Sequence, residues 1–178
     1  MSEEIVTPEQ GTAEAPKPVL PPPLAEVTGA FPEATLEESA TGQNVVRVDA
    51  GRLVEFTQAC RDAGFEMFID VTAVDYRRQR PGPRYDVVIL LLSLQHNLRI
   101  RILAGVDGEV PTAPSITSVY PGANFYEREV YDLFGIEFTG HPDLTRIMLP
   151  DDWSGHPLRK DSPVGSVPIQ FKGTNKVQ

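Results

Sequence analysis

Val87-Val88-Ile89-Leu90-Leu91-Leu92 is the longest apolar run in the chain and decides its fold. It is far shorter than the roughly 20 residues a membrane span needs. With Gly82-Pro83 before it and His96-Asn97 after it as turn material, the run reads as the middle of a strand over Arg84 to Leu94, apolar on both sides and therefore central in a sheet. The next segment, Leu98 to Leu103, alternates Leu98, Ile100 and Ile102 with Arg99 and Arg101. The short connection makes the pair an antiparallel hairpin, and the alternation leaves one face wet or turned to a charged partner.

Upstream, Glu66 to Val74 is a further strand, joined to the central one by a loop from Tyr76 to Arg84 that carries Arg77, Arg78, Arg80 and Arg84. That loop is either a solvated basic turn or a contact to an acidic partner surface. Asn44 to Val48 is a short Val-rich strand, and Asp49 is placed to cap a helix through about Ala63, with Leu53, Phe56 and Cys60 as its buried stripe. Cys60 reads as a core residue, because no cationic neighbour except Arg61 is there to activate a thiol.

Downstream, Ser115 is a candidate cap for a short helix, Ile116 to Tyr120, ended by Pro121-Gly122. A charged helix comes next over Asn124 to Phe134, where Tyr126, Val130 and Phe134 recur every four residues and Gly135 is the stop. A short strand at Ile136 to Phe138 closes the order. The expected architecture is α+β: a mixed β-sheet with helices packed mainly on one face, plus an extended C-terminal arm. The divisions are residues 1–40, 41–138 for the α+β domain, and 139–178 for an extended partner-binding arm.

Charge is unevenly spread. Residues 1–40 hold eight acids against the single base Lys17, with seven of the 17 prolines, including Pro21-Pro22-Pro23. Such composition buries too little surface to offset the entropy of ordering it, so this segment is expected to be disordered, with Leu24 to Phe31 the one stretch able to dock. The rest of the chain is nearly neutral and offers no basic field for nucleic acid. One cysteine excludes an internal disulfide and any cluster or zinc site built on several cysteines of this chain. The N-terminus has neither a signal-peptide core nor an Arg-rich transit pattern, which points to a cytoplasmic, bacterial-type setting.

Candidate chemistry concentrates in the charged helix and the proline-rich segment after it. Arg128 and Asp132 are four apart and can pair, for about 0.3–0.5 kcal/mol if exposed. Glu127 falls at the edge of the apolar arc, where a lone carboxylate is costly to bury, so it is the charge most in need of an ion-pair partner within or outside the chain. Glu127 and Glu129 point to different sides and do not make a catalytic dyad. His141, His156 and Asp152 are ligand types for a metal-dependent hydrolase, but their spacing forms no compact site. No nucleophile elbow frames Ser154, and no phosphate loop or dinucleotide fingerprint occurs. The residues alone thus read as a cofactor-free domain with a sticky, mixed-charge arm: catalytic, cofactor-binding and metal residues none, interface candidates Glu127, Arg128, Asp132, His141, Arg146, Trp153, His156, Arg159 and Lys160. Trp153 is the expected hot spot, a large aromatic with little core of its own to join.

The stretch from Glu127-Arg128-Glu129-Val130-Tyr131-Asp132-Leu133-Phe134-Gly135-Ile136 through Gly140-His141-Pro142 and Gly155-His156-Pro157-Leu158-Arg159-Lys160-Asp161 resembles the signature of the C subunit of the bacterial proton-pumping NADH:quinone oxidoreductase, respiratory complex I. The resemblance runs over about residues 45–163 and includes Asp70-Val71-Thr72-Ala73-Val74-Asp75-Tyr76. It implies a cofactor-free peripheral-arm subunit on the cytoplasmic side of the cell membrane. It also implies packing against the D subunit, which with the B subunit shapes the site for ubiquinone or menaquinone, and a C-terminal segment extended over that neighbour. Flavin and iron–sulfur clusters are expected in partner subunits, and no catalytic residue is implied here. A related membrane-bound hydrogenase or ferredoxin-linked oxidoreductase is the alternative setting.

Overall fold

In a computed structural model, described for residues 20–37, 39, 42–77 and 79–162, the apolar run lies inside a nine-residue strand at the heart of a five-stranded sheet. The elements in order are α1 (Pro22–Ala30), β1 (Thr35–Glu37), β2 (Asn44–Val48), a 3-10 turn (Ala50–Arg52) leading into α2 (Leu53–Asp62), β3 (Met67–Asp75), β4 (Tyr85–Ser93), β5 (Leu98–Val106), β6 (Thr112–Pro114), α3 (Ala123–Phe134) and β7 (Glu137–Thr139). The main sheet runs β1-β2-β5-β4-β3. All its pairings are antiparallel except β2 with β5, so the sheet is mixed. β6 and β7 form a separate parallel pair.

The hairpin is antiparallel as its spacing requires, with Ile89 opposite Ile102 and Leu91 opposite Ile100. These residues, with Val46, Val48, Val71, Ala73 and Val87, face one core that also receives Leu24 and Val27 of α1, Leu53, Phe56 and Cys60 of α2, and Val130 and Phe134 of α3. The opposite face carries only a small cluster, Val45, Val88 and Leu103. Helices on one face and an open second face are what the alternation of β5 demands.

Two expectations are corrected. Residues 22–37 are ordered rather than disordered. Leu24, Val27 and Phe31 recur at helical spacing and are buried, Phe31 against the Phe56 ring at 5.1 Å, and the prolines at the first turn of α1 are where helices tolerate them best. The expectation for residues 1–19 lies outside the described residues. The short helix at Ile116 to Tyr120 is instead a hydrogen-bonded turn, in which Val119 and Tyr120 N–H donate to the Ile116 carbonyl. Asp49 does cap as its position indicates, accepting from Gly51 N–H at 2.8 Å.

Candidate interface: helix α3 and its returning arm

From Gly140 to Ser162 the chain has no helix or strand, yet it lies against α3 through specific bonds. Asp132, 0% exposed, is the anchor on the helix side. Its carboxylate accepts from Arg146 Nη1 at 2.7 Å and from the N–H groups of Ile147, Met148 and Leu149 at 3.1, 2.8 and 2.9 Å. Burial alone would push this carboxyl's pKa up, but the three N–H donors and Arg146 outweigh it and hold the group below its ordinary value.

A second set of bonds closes the C-terminal end of α3. The last carbonyls of a helix have no partner within it. Here His156 Nδ1 meets the Asp132 carbonyl at 2.9 Å, Leu158 N–H donates to Leu133 O at 3.1 Å, and the Arg159 guanidinium donates to the carbonyls of Phe134 and Gly135. A cation at this end also complements the helix dipole. Gly135 makes the closure possible: its φ is 69°, and a Cβ there would stand 2.5 Å from both Arg159 and His156. The arm then reaches the sheet, where Lys160 N–H donates to Asp75 at 2.9 Å and Arg84 bridges Asp75 and Asp161.

Several predicted site residues therefore have partners within the chain. Arg128 does not pair with Asp132; it donates to the carbonyls of Thr145 and Arg146, while Arg146 takes the carboxylate. Among the described residues Glu127 has no cation partner. It is 0% exposed and accepts from Ser115 Oγ at 2.7 Å and Ile116 N–H at 2.8 Å. Burial raises its pKa to about 7, with those two bonds opposing. Neither Glu127 nor Asp132 presents its carboxylate to solvent. The loop arginines also turn inward: Arg80 meets Asp86 and stacks on Tyr76, and Arg77 donates to Lys160 O. Arg78 lies outside the described residues.

His141 uses both ring nitrogens, Nε2 to the Asn124 carbonyl and Nδ1 accepting from Asp143 N–H. Among the described residues no group of three or more His, Cys, Asp or Glu side chains could hold a metal, so His141, His156 and Asp152 are not brought together as a hydrolase would need. Among the exposed positions of the arm, which include the charged Asp143, Asp151 and Asp152, are several apolar side chains. Met148 is 62% exposed and Leu158 49%, Ile147 is exposed beside them, Trp153 is half-buried, and α3 adds Phe125 at 62% and Tyr126. Sequence reading does not single out Ile147, Met148, Leu158 and Phe125 as exposed apolar residues; the apolar triplet Ile147-Met148-Leu149 within a polar stretch is the available signal. It misses Ser115 as the partner of Glu127 because nothing local links them.

Comparison with known proteins gives one consistent pattern. The family model for the respiratory-chain NADH dehydrogenase 30 kDa subunit matches residues 46–167. Among curated relatives, the C subunit of NADH-quinone oxidoreductase from Roseiflexus castenholzii is 42% identical over 85% of this chain and 88% of its own length. The corresponding proteins of Salinispora tropica and Saccharopolyspora erythraea are 44% and 45% identical over 84% and 74% of this chain, which spans 62% and 54% of their lengths. Among solved structures, a trypsin-resistant fragment (1-134) of Nqo5 is 35% identical with TM-score 0.60, covering 68% of this chain and 96% of that one. A chain of an archaeal membrane-bound sulfane sulfur reductase, 20% identical with TM-score 0.70 over 87% of this chain and 96% of its own, shares the fold.

Proposed function

The chain belongs to the 30 kDa subunit family of respiratory-chain NADH dehydrogenase, and on that premise we propose that it is a non-catalytic, peripheral-arm subunit of an NADH:quinone oxidoreductase. Its work is positional: it holds the quinone-site-forming D subunit, with the B subunit nearby, on the cytoplasmic side of the membrane. Flavin and iron–sulfur clusters belong to neighbouring subunits. No helix among the described residues is long and apolar enough to cross a membrane, in keeping with a peripheral place.

The observation that carries this reading is the division of labour within the arm. Arg146, His156, Arg159 and the Lys160 N–H are used inward, on Asp132, the carbonyls of α3 and Asp75, while Ile147, Met148 and Leu158 are exposed, as is Phe125 of α3. An aperiodic segment already held by specific bonds does not have to be ordered when a partner arrives, which lowers the entropic cost of docking. Exposed apolar groups beside an aromatic anchor are the usual core of such contacts. Arg146, Arg159 and Lys160 serve here as fixings, and Trp153 remains the expected hot spot.

The test is co-purification. A tagged chain ending at Phe138, expressed in place of the full chain, should lose the D subunit while still melting as a folded domain. Retention of the D subunit by that shortened chain would overturn the reading.

A further inference from the structure

Most arginines among the described residues have an acceptor within the chain. Arg47, Arg52, Arg80, Arg84 and Arg146 are in ion pairs with carboxylates of the chain. Arg61, Arg77, Arg128 and Arg159 donate to backbone carbonyls. Among the described residues only Arg99 and Arg101 have neither an ion pair nor a hydrogen bond for their guanidinium groups; Nε of Arg101 is buried without a hydrogen bond, as are Nε and Nη2 of Arg80, but Arg80 has the Asp86 carboxylate beside it. Both are on β5 two residues apart, so both project from the face of the sheet that α3 does not cover, with Leu92 opposite Arg99 and Leu90 opposite Arg101.

Both arginines line a cavity of about 390 Å³ together with Ile69, Leu90, Leu98 and Asn44, and no acidic side chain is among the described residues of its wall. Ile69, 39% exposed, sits at the bulge where the β3–β4 register shifts between Phe68 and Asp70, which turns it to the rim. Asp70 shares a row with Arg101, but Leu90 stands between them. At the far end of the face, Arg47 is neutralised by Glu37 and Asp86. The face is therefore graded, closed electrostatically at one end and open, apolar and cationic at the other.

We propose that this end of the open sheet face docks an extended, acidic-apolar segment of a partner protein, with an aliphatic side chain in the cavity and a carboxylate on Arg99 or Arg101. An apolar occupant without an acid would desolvate two unpaired guanidinium groups, which is costly. A carboxylate instead gains the planar, two-pronged pairing that arginine offers. Residues two apart on a strand are spaced about 7 Å, the same repeat as alternate residues of an extended partner, so acids at alternate positions would match both arginines. The surface lies across the sheet from α3, and its outcome is independent of the arm's.

The test is site-specific photo-cross-linking in cells that express the full chain with Ile69→p-benzoylphenylalanine. The expected product joins another polypeptide at a peptide with Asp or Glu within about four residues of the link. Its yield should fall at least tenfold in the Arg99→Glu/Arg101→Glu variant and survive in Arg99→Lys/Arg101→Lys. If charge reversal alters the melting curve, Arg99→Gln/Arg101→Gln provides the same comparison without added acid. A yield indifferent to these charges, a link only to residues 1–19 of the chain itself, a link only to lipid, or no cross-link at all would each overturn the proposal.

Discussion

Arg146 Nη1 meets Asp132 Oδ1 at 2.7 Å across fourteen residues of chain, and the same carboxylate gathers the next three backbone N–H groups. One side chain thereby sets the path of the arm as it leaves the domain. Removing it with Asp132→Ala should destabilise the protein by about 3–5 kcal/mol, the range for breaking a buried pair by deleting one partner. Asp132→Asn, which keeps one acceptor oxygen, should lose less. Urea unfolding of both variants decides this, and a loss under about 1 kcal/mol in Asp132→Ala would show that water replaces the carboxylate freely.

Acid should release the same anchor. The Asp132 carboxyl is held below its ordinary value of 3.8, as are Asp75 and Asp86, each through donors that outweigh burial. A depressed folded-state pKa contributes stability that is present above the unfolded value and lost as pH falls through the folded one. Stability should therefore drop below about pH 4, and Asp132→Asn should lessen the drop. A melting temperature in which the variant and the parent show the same acid slope would contradict the assignment.

Glu127 should act in the opposite sense. Its pKa rises to about 7, so the folded state holds the proton more tightly than the unfolded chain. That contribution is full below the ordinary value of 4.5 and lost as pH rises through about 7. Glu127→Gln mimics the neutral acid and can keep both bonds, with Oε1 accepting from Ile116 N–H and Nε2 donating to Ser115 Oγ. Its unfolding midpoint should lack the decline that the parent shows between pH 5 and 7.5, within the accuracy of about 0.3 kcal/mol that such comparisons allow. Equal slopes would remove Glu127 as the cause.

Gly135→Ala combines two penalties. A left-handed residue with a Cβ costs about 1–2 kcal/mol, and the added atom would displace Arg159 and His156 from the carbonyls they close. The arm should loosen more than the domain. Limited trypsin digestion reports this directly, with faster cleavage at Arg146 and Arg159 and little change in the rate of cutting at Arg99 and Arg101 within β5. Unchanged arm cleavage would mean that the closure does not hold the arm.

The parts of this structure legible from sequence are those set by local period. The apolar run Val87 to Leu92, the Arg99/Arg101 alternation and the four-residue repeat of α3 each imply their element, and the α+β layering comes from their order. What stays hidden is non-local. The parallel pairing of β2 with β5 joins segments more than fifty residues apart, and no residue pattern specifies it. The stripe Leu24, Val27 and Phe31 is present in the sequence but obscured by the proline and glutamate around it. The pairing of Arg128 with Asp132 fails because spacing shows only neighbours on the helix, whereas the arm brings Arg146 and three N–H groups to the same carboxylate. Glu127 is legible as a charge that needs relief, but the relief comes from a hydroxyl, an N–H group and a raised pKa rather than from a cation.

The central claim is that the arm's outward apolar groups, and not its inward polar ones, hold the chain in its complex. Met148→Asp/Leu158→Glu in the full-length chain tests it most directly, because both side chains are exposed and neither takes part in the bonds that fix the arm. The measurement is the amount of D subunit recovered with the tagged variant from cells, beside its melting curve. The account predicts a melting temperature within about 2 °C of the parent, less than the shift that 1 kcal/mol produces in a domain of this size, together with at least a tenfold loss of the D subunit. Full recovery of the D subunit by a normally folded variant would contradict it.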